Sequence, residues 1–147
     1  MKTPDSKLYS KEYFLSTEGI NYFKKGLTSP KFKQAINMAK LKVGMKILDI
    51  GCGRGDIVLA CARKNVYSYG IDYAYDAIEI SKAAKQSLPD HTTSFLSVHQ
   101  ASADSLPFKE SAFDKIFFMD VAEHLSPAVL LQCLKECKRT LKEDGEL

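Results

Sequence analysis

No run in this 147-residue sequence approaches the roughly 20 consecutive apolar residues that cross a bilayer, so no membrane span is expected. The opening residues, MKTPDSKLYSK, are polar and lack the apolar core of a secretory leader. There is no CxxC pair among the four cysteines, Cys52, Cys61, Cys133 and Cys137, and the three histidines are scattered. A zinc site needs its ligands closer together, so no metal is expected. Cys133 and Cys137, four apart, share one helix face and are read, like the other two, as small buried hydrophobes. Unpaired thiols fit a reducing, cytoplasmic setting. There are no repeats and no low-complexity tracts. The length implies one domain.

What is present suffices for a core: 45% hydrophobic residues against 27% charged. The net charge of +3 is unevenly spread. Residues 1–46 carry ten lysines against three acids, whereas the remainder is net negative. The basic flank is either a steering field for an anionic substrate or simply a solvated surface.

Residues 8–26 read as helical. Ser29-Pro30 starts a helix, with Phe32, Ile36 and Ala39 on one face and a stop near Lys42. Lys46–Ile50 reads as a strand, Asp56–Lys64 as a helix with Ile57, Ala60 and Cys61 inward, and Val66–Ile71 as a second strand closed by Asp72. Tyr75–Ser87 reads as a helix with Ile78 and Ala83 inside, ahead of Pro89. Phe95–His99 and Lys115–Met119 are the third and fourth strands, the latter apolar enough to be covered on both faces. Ser126-Pro127 starts a helix with a buried stripe of Leu130, Leu134, Cys137 and Leu141, ended by Gly145. Alternating strands and helices predict an α/β fold with a parallel sheet, and ligands bind beyond the carboxyl ends of such strands. Residues 1–42 are expected to form a helical cap and residues 43–147 a cofactor-binding domain.

The stretch KILDIGCGRGD (46–56) carries the chemistry. Gly51, Gly53 and Gly55 allow a sharp turn and close approach of main chain to a ligand. A dinucleotide site places a glycine at the sixth position of GxGxxG, but here that position is Asp56, whose charge is expected to repel a pyrophosphate. The pattern acid-x-GxGxG suits a ligand with a cationic amino group. Asp72, 21 residues after Gly51, is placed to accept both hydroxyls of a ribose, or alternatively to favour the next helix N-terminus. Tyr73 either covers a base or lies on the surface. Cys52 is either a thiol acidified by a helix N-terminus or a small filler between glycines.

These residues, with ASADSLPF (101–108), FDKIFFMDVAEHL (113–125) and LKEDGEL (141–147), resemble the class I S-adenosylmethionine-dependent methyltransferases, nearest the group containing the ubiquinone and menaquinone methyltransferases. The resemblance covers roughly residues 40–147. It implies a Rossmann-like sheet with flanking helices and S-adenosylmethionine as cofactor. It implies that Asp49, through water, and the Gly51–Cys52–Gly53 backbone hold the methionine part, and that Asp72 holds the ribose. Ser102 falls near the adenine amino group and Ala103 beside the ring, with Asp104 able to substitute for Ser102 as acceptor. Met119 and Asp120 would line the methyl-donor side. Ala74 stands where the family often has a capping serine, and LKEDG replaces LKPGG. Leu147 falls about where a fifth strand should begin, so the chain reads as truncated, with later strands missing. A four-stranded sheet of order 3-2-1-4 is expected, its fourth strand an open apolar edge suited to self-association.

The implied reaction is in-line methyl transfer to a small-molecule acceptor, in which the protein chiefly aligns and excludes water. His124, Asp120 and Glu123 are candidate bases should the acceptor have to lose a proton. Tyr9, Tyr13, Phe14, Tyr22 and Phe23 are expected to form a lid or a packing helix. Three alternatives stand beside this. A nucleic-acid methyltransferase is disfavoured by the absence of an NPPY or DPPY motif, and a nicotinamide dehydrogenase by Asp56. A binding module without catalysis remains open.

Overall fold

The structure is a computed structural model and describes residues 9–147. Four strands match the apolar runs: β1 (Lys46–Ile50), β2 (Tyr67–Asp72), β3 (Leu96–Gln100) and β4 (Phe113–Phe117). A fifth, β5 (Leu141–Glu146), completes a parallel sheet of order β3-β2-β1-β4-β5. Along β1 successive side chains serve opposite faces. Ile47 joins the core that also holds Ile57, Val58, Cys61, Ile78, Val98 and Phe117. Leu48 and Ile50 join the other, with Ile71, Leu106, Phe113 and Ile116. Before β1 come α1 (Lys11–Ser16), α2 (Ile20–Lys24) and α3 (Pro30–Met38). Helix α4 (Asp56–Ala62) runs between β1 and β2 and is buried at every position. Helices α5 (Tyr75–Lys85) and the short α6 (Asp90–Thr93) link β2 to β3, and α7 (Pro127–Thr140) links β4 to β5. The chain leaves β3 at one edge and re-enters on the far side of β1, and this reversal opens a crevice at the carboxyl ends of the strands.

The expected helix over 8–26 is instead broken in two, its first residue lying outside the described residues. Gly19 takes a left-handed φ of 82°, which an uninterrupted helix forbids. Ser29-Pro30 and Ser126-Pro127 both start helices as expected, with serine ψ values of 153°. Neither serine hydroxyl caps its helix, so the start is set by the fixed proline φ. Ile36 of α3 is buried in the same core as α4.

Other expectations are corrected. Ala83 of α5 is exposed, and Ala77, Ile78, Ile80 and Ser81 make the inner face. On α7 the buried stripe is Cys133, Cys137 and Thr140, leaving Leu134 exposed, because the helix turns its small side chains to the sheet. Gly145 does not end this helix, which stops at Thr140. It lies in β5, where a Cβ would fall 3.1 Å from the Phe113 carbonyl oxygen. LKEDGE is therefore extended rather than a turn. Leu141 pairs with Phe113 and Glu146 with Lys115 around an irregularity. Lys142 Nζ sits 2.7 Å from Asp114 Oδ1, and Lys115 pairs with Glu146. The sheet is thus five-stranded. The edge of β4 at Phe113–Lys115 is covered, so the expected self-association has no open edge there, and the outer strand is charged.

Phe113 is 2% exposed and packs edge-on against Tyr69 and Phe108, at centroid distances of 5.5 and 4.9 Å. Phe113→Ala should lower unfolding stability by about 3–5 kcal/mol in urea titration. Leu131→Ala, at a side chain 56% exposed, should stay within about 0.5 kcal/mol.

Candidate functional site

The turn after β1 hangs on the end of β2. The amides of Gly51 and Cys52 both donate to the Ile71 carbonyl, at 2.8 and 2.9 Å. Asp72 then ties the next step: Oδ2 accepts from the Gly53 amide at 3.0 Å and Oδ1 from the Ala74 amide at 2.9 Å. Ser81 Oγ donates to the Gly53 carbonyl at 2.8 Å. Gly51 has φ +73°, and a Cβ there would lie 2.3 Å from Val121 Cγ2. The glycine is therefore required by the loop that follows β4 as well as by its own dihedral. Cys52 is buried, and burial pushes its thiol well up, so it is a filler and not an acidified nucleophile.

A cavity of about 250 Å³ opens above this turn, close to the lower bound of about 300 Å³ for small-molecule sites. Gly51, Cys52 and Gly53 form its floor, with Asp72 and Tyr73 on the β2 side. Ser102, Ala103 and Asp104 close the side beyond β3, and Met119, Asp120 and His124 the side beyond β4. Tyr9, Tyr13 and Phe14 of the cap complete it. The structure thus brings together every expected site residue except Asp49, which sits buried behind the floor, and Glu123, which is exposed outside. Tyr22 is exposed, and Phe23 packs beneath the loop rather than over the cavity. Arg54, Val121, Val129 and Cys133 also line the cavity, and the sequence reading does not place them there. Only the i, i+4 spacing of Cys133 and Cys137 hints at one of them.

Ser102 Oγ donates to Asp104 Oδ1 at 2.5 Å, so the two act as one unit with the carboxylate as the acceptor. Asp120 has a left-handed φ of 57° and is paired with Lys31 of α3, whose Nζ lies 2.6 and 2.5 Å from its two oxygens. That pairing occupies both oxygens of Asp120. His124 stands exposed on a 3-10 turn at the mouth, edge-on to Tyr9 at 6.5 Å. Asp56 does not face the cavity, contrary to expectation. Its Oδ2 lies 3.1 Å from Arg54 Nε, inside the protein. Any bar to a pyrophosphate must come from other groups.

Three carboxylates crowd the turn. Burial, then the charges of Asp72 and Asp56, holds Asp49 well above the usual carboxylate range. Burial raises Asp72 despite its accepted amide bonds, and raises Asp56 despite Arg54. A raised carboxyl keeps its proton more tightly in the folded chain. Its stabilisation is complete below the unfolded pKa of about 4 and is lost as pH rises through the folded value. Asp49→Asn should therefore raise the urea midpoint at about pH 7 and flatten the decline in stability above about pH 4. An Asp49→Asn variant less stable than the parent at neutral pH would contradict this.

The family described as "Methyltransferase domain" matches residues 48–147. YcgJ of Bacillus subtilis, described as an uncharacterized methyltransferase, is 30% identical over 110 residues, covering 75% of this chain and 42% of its own. A ubiquinone biosynthesis O-methyltransferase of Haemophilus ducreyi is 32% identical over 111 residues, covering 71% of this chain and 44% of its own. The crystal structure of YcgJ aligns with a TM-score of 0.68 at 29% identity, over 78% of this chain and 47% of that one. The chain thus spans less than half the length of these relatives. The match runs from within β1 through β5, taking in the glycine turn, Asp72 and the loop beyond β4, and with it the chain belongs to the methyltransferase-domain family.

Proposed function

We propose that this chain binds S-adenosylmethionine and presents it for methyl transfer to a small-molecule acceptor. One observation carries this: the charge of the cavity wall. Glu18, Asp72 and Asp104 supply carboxylates, and Asp120 adds one that Lys31 already pairs. Among the described residues, Arg54 is the one guanidinium in the wall. It is already bonded to Asp56, to the Phe14 and Glu18 carbonyls and to Thr17. Such a wall suits a ligand with an ammonium and a sulfonium and repels a pyrophosphate. The remaining polar groups fit the same molecule. The main chain of Gly51–Gly53 would hold the amino-acid end. Each Asp72 oxygen accepts one amide and keeps a lone pair for a ribose hydroxyl. Asp104, oriented by Ser102, would accept from the exocyclic amine of adenine.

Bound S-adenosylmethionine would supply a methyl group activated by the sulfonium charge. The chain's own task is then alignment and exclusion of water. Asp72 and the glycine turn fix the donor's position, and Tyr9 and Tyr13 cover the mouth. Met119 and Asp120 bound the side open to the acceptor. Where the acceptor must lose a proton, an imidazole nitrogen of His124, in the cavity lining, is the group placed to receive it, since both Asp120 oxygens are taken by Lys31.

Calorimetric titration of the 147-residue chain with S-adenosylmethionine should give a dissociation constant in the micromolar range, with Asp72→Ala at least about tenfold weaker. Ser102→Ala should bind nearly as the parent does, and Asp104→Ala should lose about tenfold. No heat of binding from a folded chain would contradict the donor assignment. Equal losses in both of the latter variants would contradict the role given to Asp104.

A further inference from the structure

We propose that Arg54 is a positioning residue that latches the cap helices α1 and α2 to the glycine turn, so that seating a ligand on the turn and closing the cap become one event. The coupling to a ligand rests on the methyl-donor reading above, whereas the latch itself does not. Arg54 stands between the second and third glycines and is 4% exposed. Its side chain leaves the turn and enters the cap. Nη1 donates to the Phe14 carbonyl and to Thr17 Oγ1, both at 2.8 Å, and Nη2 donates to the Glu18 carbonyl at 3.0 Å. Nε faces Asp56 Oδ2, and the guanidinium lies 5.3 Å from the centre of the Phe23 ring.

The cap needs these bonds. Helix α1 has six residues and α2 five, each far too short to persist alone. No basic residue lies in the last turn of α1. Arg54 supplies that charge from 37–40 residues away, donating to the Phe14 carbonyl at the helix end, which Thr17 Oγ1 also reaches, and to the Thr17 hydroxyl itself. The chain between α1 and α2 turns beside the guanidinium at Gly19, whose φ is +82°.

Besides the Phe14 ring, which lies over Gly53, the other ties of α1 reach the start of α5. The Lys11 amide donates to Asp76 Oδ2 at 2.8 Å, and the Phe14 ring packs on Ala74, Ala77 and Ile80, so both reach α5. Among the described residues, the side-chain hydrogen bonds between the glycine turn and the cap come from Arg54. The cap carries Tyr9 and Tyr13 over the mouth, and the turn is the floor. Lifting the cap would strand a buried guanidinium without its carbonyl partners, which favours a cap that is either wholly seated or wholly released. A ligand that orders Gly51–Gly53 also orders the backbone that aims Arg54. The fork geometry matters: a lysine ammonium at the end of a flexible stem cannot reach Asp56 and three cap acceptors at once.

Hydrogen exchange in the full chain, with and without S-adenosylhomocysteine, tests this in the parent, Arg54→Met, Arg54→Lys and Thr17→Val. Without ligand, amides of residues 13–24 should exchange about tenfold faster in both Arg54 variants and a few-fold faster in Thr17→Val, with α7 unchanged. The ligand should slow the cap amides of the parent and not those of Arg54→Met, whose dissociation constant should rise about tenfold. Failure of Arg54→Lys to restore parent behaviour supports the fork. Cap exchange equal to the parent's in folded Arg54→Met overturns the latch, and if that variant does not fold, equal exchange in Thr17→Val does so. If the latch holds but the ligand slows the caps of parent and Arg54→Met alike, the coupling is wrong. If the parent binds no S-adenosylhomocysteine, the donor reading and the coupling fall together, and the ligand-free exchange still decides the latch.

Discussion

The site depends on one carboxylate at the end of a strand. Asp72 receives the Gly53 amide on one oxygen and the Ala74 amide on the other. The first bond fixes the glycine turn, and the second fixes the entry to α5, whose own N-cap position, Ala74, has no side chain to do so. Three segments that diverge from the sheet's carboxyl edge are thereby held together: the turn after β1, the strand β2 and the helix that follows. Everything else in the cavity is arranged around that junction. Ser81 supports the same turn from α5, and Val121 presses on Gly51 from the opposite side, so the floor is fixed from below and from beyond β4.

The junction is electrostatically unbalanced. Asp49, Asp56 and Asp72 are all buried, and among them Asp56 alone has a cation in contact within the described residues. Burying an uncompensated carboxylate is costly, and the response is a raised pKa. The Asp49 and Asp72 carboxyl groups therefore hold their protons more tightly beside the cavity than they would in water. Among the described residues the wall has no free lysine or arginine, while lysines crowd the outside of the cap. Arg54 is the exception, and it is turned inward, onto the cap's carbonyls.

Local constraints were legible in the sequence. The glycine turn and Asp72 follow from spacing, because a strand end, a sharp turn and a helix start leave few arrangements open, whereas Met119 and Asp120 beyond β4 come from the family resemblance. Ser29-Pro30 and Ser126-Pro127 are readable for the same reason. What escapes the sequence depends on partners distant in the chain. Arg54 carries no sequence signal of its role until Phe14, Thr17 and Glu18 are folded onto it. Asp56 reads as a group facing the ligand, because the sequence does not show that its neighbour at two residues' distance neutralises it. LKEDGE has the polarity of a turn, and it is extended because Asp114 and Lys115 on β4 meet Lys142 and Glu146. On α7, the expected stripe of Leu130, Leu134, Cys137 and Leu141 has Cys137 buried and Leu134 exposed. Small residues allow close packing against a sheet, and a leucine at the neighbouring angle stays in water.

The central claim is that burial holds the carboxyl groups around the glycine turn above their ordinary range and that a cationic ligand in the cavity lowers them. Carbon-detected magnetic resonance of the Asp49 and Asp72 carboxyl groups, titrated with acid in the free chain and again with S-adenosylmethionine, tests it most directly. The account predicts that both titrate above the ordinary value of about 4 in the free chain, and that the ligand lowers them. Ordinary titration in the free chain, or values that the ligand leaves unmoved, would contradict it.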